Sequence, residues 1–210
     1  MCGDWAEVLI PCGTIRRMTI SWPDLVTTAA TDVTSVLEKA ADRNWDGRAG
    51  ELEWSCRETL SHIALGVVGY AGLLIAQPQD RYITLFSSID SQAPIPAALE
   101  GIRIAGTLLA TTVRDAKPEV RAWHPYGHSD GPGFAAMGVL ELVVHGRDLA
   151  LAHGIDWTPS DELCAPVVER LFRDAPTGHA PAQTLLWCTG RIALPGLPRR
   201  TNWRWDGTVR

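Results

Sequence analysis

One segment limits the fold of this chain more than any other, residues 137–154, with the sequence MGVLELVVHGRDLALAHG. Most of its residues are apolar, which predicts a helix packed inside the protein. Three polar side chains interrupt it, Glu141, His145 and Asp148, at spacings of four and three. These spacings place the three on one face of the helix, about a turn apart. Polar groups in such a segment cost free energy unless something satisfies them, so this helix requires a specific partner.

The rest of the chain carries further helix signals. Ser21-Trp-Pro-Asp24 and Ser55-Cys-Arg-Glu58 have the pattern of helix N-terminal caps, and apolar residues follow each at helical spacing. Pro96 suits the first turn of another helix, and Gly154 suits the end of one. The sequence therefore predicts helical segments at residues 22–42, from 55 to before 77, from 96 to before 118, at 137–154, from 158 to about 172, and at 182–190.

These segments predict an all-α fold, an antiparallel four-helix bundle with one or two extra short C-terminal helices and an irregular tail. We expect residues 20–192 to form the bundle, residues 1–19 to be a disordered leader, and residues 193–210 to be a tail that packs on the bundle or trails from it. Residues 79–94 fit a short helix or a loop equally well. Residues 121–133 predict a loop because they contain two prolines and three glycines.

Charge and composition exclude several classes of function. The net charge is −5, with 24 acidic and 19 basic residues and no block of like charge, which argues against nucleic acid as the main partner. No uninterrupted apolar run approaches the roughly 20 residues of a membrane span, so we predict no membrane association. The cysteine count of five is odd, and no pair has C-x-x-C spacing. We therefore expect free thiols and a cytoplasmic protein. As to assembly, we expect a monomer or homodimer.

The polar row of the central segment suggests a metal site. Helix bundles hold metals between facing helices, and His62 lies two turns into the second predicted helix. Together with Glu141 and His145, it would give three protein ligands and leave a fourth position on zinc open to water or a substrate atom. Spacing alone leaves a simpler alternative, because Glu-x-x-x-His pairs occur on many helices as salt bridges.

Other candidate residues have simpler explanations. A lone histidine beside an apolar stripe, as His62 is, usually makes one hydrogen bond at the core edge. His124 and His128 are four residues apart, but Pro125 and Gly127 make a shared helical face unfavourable. We expect both histidines in a surface loop, with lining of a pocket mouth as the alternative. Of the cysteines, Cys56 is expected to pack or lie at the surface, and Cys188 to be a buried apolar group.

Three stretches carry a resemblance to a known family. They are Trp54-Ser-Cys-Arg-Glu58 with Leu60-Ser-His62-Ile-Ala64 after it, residues 141–154 (ELVVHGRDLALAHG), and residues 185–191 (LLWCTGR). The second has the pattern E-x-x-x-H-x-x-D-L-A followed by a closing glycine. Over residues 20–192 the chain resembles the DinB-like superfamily, specifically its mycothiol-dependent maleylpyruvate isomerase branch.

The resemblance implies a four-helix bundle that holds a divalent metal, usually zinc. Carried over to this chain, the metal ligands are His62, Glu141 and His145, which would act in catalysis through the bound metal. Asp148 matches the aspartate of the family pattern and would either orient a ligand or form a salt bridge with Arg147 or another arginine. Arg147 stands where relatives often carry tryptophan, which implies a different pocket shape there.

The function implied is that of a metal-dependent transferase or isomerase that uses mycothiol or another low-molecular-weight thiol. Zinc, or another divalent metal such as nickel, would activate the thiolate toward a small electrophile. The isomerase that names the branch has a further C-terminal domain, whereas only a short tail follows Arg191 here. The resemblance therefore implies thiol transfer more broadly than maleylpyruvate isomerisation. The alternatives are a non-catalytic DinB-like bundle that binds metal or ligand, and a structural bundle whose polar row is only salt-bridged.

Overall fold

The computed structural model describes residues 20–85 and 87–209, and every regular element among them is helical. The predicted leader, residues 1–19, lies outside the described residues. No strand occurs within the described ranges, where only isolated bridges such as Arg48 with Ser55 are present. The elements are α1 (Trp22–Leu37, continued by a 3-10 turn over Glu38–Ala40), α2 (Cys56–Ala76), α3 (Ile95–Asp115), α4 (Gly131–Ala152), α5 (Asp161–Leu171) and α6 (Pro181–Cys188).

The predicted capping motifs start the helices as expected. The Ser55 hydroxyl accepts a hydrogen bond from the Glu58 backbone N–H, and the Glu58 carboxylate accepts one from the Ser55 N–H at 2.7 Å. Ser21 accepts in the same way from the Asp24 N–H. Such caps satisfy backbone donors that the first turn leaves free. The cap at Ser55 therefore fixes where α2 begins, and with it the position of His62.

The central helix, α4, begins six residues earlier than the sequence predicted. It starts at Gly131 rather than Met137, and the Asp130 carboxylate accepts a hydrogen bond from the Gly133 N–H at 2.9 Å. The assignment of residues 131–133 to a loop was wrong, because Pro132 stands in the first turn of a helix, where it costs no hydrogen bond. The sequence allowed either a short helix or a loop over residues 79–94, and residues 79–85 and 87–94 form no helix.

Helices α1 to α4 form an antiparallel four-helix bundle, which confirms the predicted fold class. Helices α1 and α2 each pack against both α3 and α4. Sixteen of the 22 residues of α4 are buried, so α4 is the central helix of the bundle. It approaches α1 very closely at Gly146, where an added Cβ would lie 2.8 Å from both methyl carbons of Val33. Since α2 also packs on α4, side chains from α2 and α4 can meet inside the bundle.

The C-terminal segment returns to the bundle. Helix α5 packs on α4 and on α6. Beyond α6, the Asp206 N–H donates to the Leu171 carbonyl at 2.9 Å, and the Gly207 N–H donates to the Tyr126 carbonyl at 2.7 Å. The tail therefore contacts the end of α5 and the loop that precedes α4.

Helix α2 is, by length and composition, apolar enough to cross a membrane, unlike the other described helices. This property was not expected, because α2 contains no uninterrupted apolar run of that length. Half of the apolar window is buried inside the protein, and α2 packs on α3 and α4. A core helix of a globular protein meets the same criterion, so this property is weak evidence for a membrane span.

Candidate metal centre

Three side chains predicted as ligands meet between α2 and α4. His62 Nε2 and His145 Nε2 each lie 3.4 Å from Glu141 Oε2. The ligand atoms of all three residues lie within 4.8 Å of one another. In a tetrahedral zinc site with ligands at about 2.0–2.1 Å, neighbouring ligand atoms are about 3.3–3.4 Å apart. The separations between the two histidine nitrogens and the Glu141 oxygen therefore match what one bound ion requires.

Local sequence explains why the side chains converge. Glu141 and His145 are one turn apart on α4, so their side chains lie next to each other. On α2, one turn after His62, stands Gly66, where an added Cβ would lie 3.7 Å from the Glu141 Cγ. A larger side chain at Gly66 would occupy the space beside the carboxylate. Because 3.7 Å is an ordinary van der Waals distance, the observation shows that α2 packs closely beside Glu141 at this turn.

The cluster is buried on one side and accessible on the other. Glu141 is 6% exposed, and its Oε1 accepts a hydrogen bond from the Tyr70 hydroxyl at 3.1 Å. The His62 side chain is 36% exposed, and its ring lies 4.5 Å from that of Trp54. Tyr70 therefore holds one carboxylate oxygen, while the other faces both histidines. The accessible side lies at His62.

The charges of the cluster stabilise one another. Burial alone would raise the pKa of Glu141, but hydrogen bonds and charge attraction from His145 and His62 outweigh it and hold the pKa well below its usual value. Burial would likewise lower the pKa of His145, yet bonds to Asp148 and Glu141 raise it to about 9. Burial raises the pKa of Tyr70 well above its usual value, and the Glu141 charge adds to this.

Asp148 lies between His145 and an arginine from the C-terminal segment. Its Oδ2 is 3.2 Å from His145 Nδ1 and 2.8 Å from Arg191 Nη2. With Nδ1 facing a carboxylate, the Nε2 atom of His145 is the one directed at Glu141. Asp148 therefore makes both of the contacts considered for it, one with the ligand candidate His145 and one with an arginine. The partner arginine is Arg191, however, because Arg147 donates to the Trp157 carbonyl at 2.6 Å.

A polar cleft of about 500 Å³ opens on the His145 side of the cluster. Arg191 and Arg199 line it, and both are already paired with protein groups, Arg191 with Asp148 and Arg199 with Glu51. Further lining comes from Trp54, His145, Thr189 and Trp203. The cleft thus offers hydrogen-bonding groups and two indole rings beside one of the histidines.

An aromatic cavity of about 300 Å³ opens on the other side, against His62 and Glu141. Its rings come from four separate parts of the chain: Tyr70, Tyr82, His124 with Tyr126, and Trp205. The residues predicted for the site did not include Tyr70, Tyr82, Tyr126 or Trp205. One signal was available, because Tyr70 follows His62 at two successive spacings of four, on the same face of α2.

His124 departs from the expected surface position. It is 4% exposed, its Nδ1 accepts a hydrogen bond from the Tyr126 N–H at 3.2 Å, and its ring stacks on Trp205 with centroids 5.8 Å apart. Burial lowers the pKa of His124 to about 4, despite the opposing effect of Glu141. The alternative expectation, that it lines a pocket, is the correct one. His128 is exposed as predicted, with Nε2 at 2.8 Å from the Gln79 carbonyl oxygen.

The cysteines of the described residues stand apart from this chemistry. Cys56, Cys164 and Cys188 are buried and free, while Cys2 and Cys12 lie outside the described part of the chain. Burial raises the pKa of Cys56, that of Cys164 to about 12 and that of Cys188 to about 11. High pKa values leave little thiolate at neutral pH, so these thiols are poor nucleophiles.

Comparison with known proteins gives one match. The family model described as the mycothiol maleylpyruvate isomerase N-terminal domain matches residues 26–150, more than half of the chain. The matched region contains His62, Glu141, His145 and Asp148, and it ends before Arg191. No curated protein and no solved structure is significantly similar to the chain.

Proposed function

The chain belongs to the family of the mycothiol maleylpyruvate isomerase N-terminal domain, and on this premise we propose a metal-dependent enzyme that transfers mycothiol, or another low-molecular-weight thiol, to a small electrophile. The observation that carries the proposal is the cluster of His62, Glu141 and His145, with ligand atoms within 4.8 Å of one another between two packed helices. Three such ligands leave one coordination position open, as catalytic rather than structural zinc sites do.

The donor set suits zinc, or another divalent metal such as nickel, bound by His62, Glu141 and His145. A divalent ion there would lower the pKa of a coordinated thiol and hold it as a thiolate at neutral pH. Tyr70 would keep Glu141 in place through its hydrogen bond to Oε1. Asp148 would keep His145 oriented with Nε2 toward the site, since it faces Nδ1.

The two openings of the cluster suit two reactants. The polar cleft borders His145, and the aromatic cavity borders His62 and Glu141, so a thiol and an electrophile could approach from different sides. Holding two reactants next to each other lowers the entropic barrier to their reaction. The thiolate would add to the electrophile or displace a group from it. Isomerisation is a variant in which the thiol adds, a bond rotates and the thiol leaves. We place the protein in the reducing cytoplasm, where low-molecular-weight thiols stay reduced.

Metal content of the purified protein tests the proposal first. We expect close to one equivalent of divalent metal in the wild type and loss of most of it in His145→Ala, measured by elemental analysis. His128→Ala is the matched control, because it removes an exposed histidine outside the cluster. Less than about a tenth of an equivalent of divalent metal in the wild type, with no uptake of added zinc or nickel, would refute the proposal.

Turnover is tested with the metal-loaded protein, mycothiol and a panel of small electrophiles. We expect thioether products to form faster than in the absence of protein, and His145→Ala to lose this acceleration. Metal and thiol binding without any product above the uncatalysed rate would instead indicate a non-catalytic binding bundle.

A further inference from the structure

The protein does not hold the three residues of the cluster equally. Glu141 is buried, and its Oε1 accepts a hydrogen bond from the Tyr70 hydroxyl at 3.1 Å. The His145 side chain is 12% exposed, and its Nδ1 lies 3.2 Å from Asp148 Oδ2. Glu141 and His145 therefore each have a polar partner outside the cluster that fixes the orientation of the side chain.

His62 has no polar partner of this kind. Its Nε2 lies 3.4 Å from Glu141 Oε2, and its side chain is 36% exposed. Its Nδ1 makes no hydrogen bond to any side chain or backbone group within residues 20–85 and 87–209. In metal sites the second ring nitrogen of a histidine ligand usually donates to a carboxylate, a backbone carbonyl or water, which fixes the ring. For His62 only water remains, so no polar protein group of the described residues fixes its ring.

Trp54 contacts the His62 ring in another way. Its indole lies 4.5 Å from the imidazole, centroid to centroid, at an interplanar angle of 42°. The Trp54 and His145 rings are farther apart, at 6.4 Å. Aromatic rings at such short separations attract each other beyond the effect of the buried area. Since Trp54 is 42% exposed, its indole restrains His62 on the accessible side of the cluster.

The backbone fixes the position of Trp54. This residue directly precedes Ser55, the N-cap of α2, and its carbonyl accepts a hydrogen bond from the Ala49 N–H at 3.0 Å. Ser55 also forms an isolated bridge with Arg48. His62 follows on α2 two turns after this cap. The cap that sets the position of His62 therefore sets the position of Trp54 as well.

We propose that Trp54 is the positioning residue of His62, and that its indole thereby controls how tightly and for how long the cluster holds a divalent metal. The role rests on the metal centre of the proposed function. Trp54 would do for His62 what Tyr70 does for Glu141, but through a ring contact instead of a hydrogen bond. His62 is then the most loosely held of the three ligands.

The surroundings of Trp54 favour metal exchange on this side. Trp54 lines the polar cleft, and it also lines a neighbouring groove together with Arg57, Ser61, Ser88 and His62. Displacement of the indole would join the cleft and the groove beside His62. Removal of the ring should therefore loosen a ligand and open a path to the cluster at the same time.

The test compares Trp54→Leu, which removes the ring, with Trp54→Phe, which keeps one. In the full-length protein, Trp54→Leu should weaken zinc affinity by about three- to tenfold, the range expected for one lost aromatic contact. Zinc release into an excess of chromogenic chelator should become faster by a similar factor, because lost contacts act mainly on dissociation rates. Trp54→Phe should stay closer to the wild type in both measurements.

Trp22→Leu is the matched control. Trp22 is also partly exposed, and it stands at the start of α1 near Arg114 and Asp130, away from the cluster. This variant should leave zinc affinity and release unchanged, and urea denaturation of the metal-free proteins shows how much stability each variant loses. Wild-type zinc affinity and release in Trp54→Leu would overturn the proposal. Equal losses in Trp54→Leu and Trp54→Phe, or in Trp54→Leu and Trp22→Leu, would overturn it as well.

A second measurement needs no metal. The chain has six histidines, so the imidazole signals in a proton NMR spectrum are few, and His62→Gln identifies those of His62. The ring current of an indole next to His62 displaces these signals, and Trp54→Leu should remove the displacement while Trp22→Leu keeps it. Identical His62 signals in Trp54→Leu and the wild type would show that the indole does not hold the imidazole.

These experiments separate two failures. If the wild type takes up no metal, the proposed function fails and the effect of Trp54 on metal affinity fails with it, whereas the NMR signals still show whether the indole contacts His62. If the wild type holds metal and Trp54→Leu holds it equally well, the metal centre stands and the role of Trp54 fails.

Discussion

Replacing Asp148 with asparagine is expected to weaken metal binding and also to lower the free energy of unfolding, and the two effects can be measured separately. The Asp148 carboxylate is 3.2 Å from His145 Nδ1 and 2.8 Å from Arg191 Nη2, and the Asp148 and Arg191 side chains are 11% and 14% exposed. Removing one partner of a buried ion pair costs about 3–5 kcal/mol because the other charge stays buried. Asparagine keeps a hydrogen-bond acceptor, so we expect the lower end, about 3 kcal/mol.

The effect on the metal follows from the orientation of His145. A neutral amide holds the imidazole less firmly than a carboxylate, and loss of such a partner typically weakens metal affinity about 10–100-fold. This corresponds to about 1.4–2.8 kcal/mol of binding free energy. Zinc affinity is measured by competition with a chromogenic chelator, and the free energy of unfolding of the metal-free protein by urea denaturation.

The chain offers a matched control in a second buried ion pair. Arg170 Nη2 lies 2.9 Å from Asp130 Oδ1, and their side chains are 9% and 16% exposed. Asp130→Asn should lower the free energy of unfolding by a similar amount, because asparagine can still cap α4 but leaves the Arg170 charge unpaired, and it should leave zinc affinity unchanged. Equal loss of zinc affinity in both variants would mean that Asp148 acts only through stability. Wild-type zinc affinity in Asp148→Asn would show that it does not orient His145 at all.

Two further predictions concern packing and pH. Gly146→Ala should lower the free energy of unfolding by about 1–2 kcal/mol, because its Cβ would meet both Val33 methyl carbons at 2.8 Å and overpacking outweighs the better helix propensity of alanine. Gly69→Ala is the control and should be neutral or stabilising, because no atom lies within 4 Å of its Cβ. If urea denaturation gave the reverse order of stability for the two variants, this reasoning would be refuted. His124 has a folded-state pKa of about 4, below the unfolded value of about 6.5, so it should contribute stability that is present above pH 6.5 and is lost as the pH falls to 4, about 3 kcal/mol in all. His124→Phe should therefore flatten the loss of stability between pH 7 and 4.5, and an unchanged slope would show that His124 does not titrate as inferred.

Local patterns predicted those features that depend on neighbours in the sequence. The cap at Ser55 and the spacing of Glu141 and His145 are properties of single helices, and the structure has both as expected. The start of α4 was missed because Gly131 and Gly133 indicate a turn, although Asp130 followed by Pro132 also fits the start of a helix, and the Asp130 carboxylate does cap α4. His62 was predicted as a partner of Glu141 from the general geometry of helix bundles, and the resemblance supported that choice; spacing within one helix gives no information about a second helix.

The surroundings of the cluster could not be predicted from spacing. His124 lies in an aperiodic loop, and its burial follows from contacts with Tyr82 and Trp205, which are distant in the sequence. Arg191 reaches Asp148 from 43 residues away, after α5 and α6 have turned the chain back. Such contacts depend on how the C-terminal segment docks on the bundle, and no periodic pattern describes that docking.

The ion pair of Asp148 with Arg191 also has a consequence for thermodynamic linkage. Asp148 belongs to the central helix and faces a candidate metal ligand, whereas Arg191 belongs to the segment that follows α6. If docking of that segment favours metal binding by some free energy, metal binding favours docking by the same free energy. Metal-loaded protein should therefore protect the backbone amides near Arg191 from hydrogen exchange more strongly than metal-free protein does, even though the ion would touch no residue beyond α4.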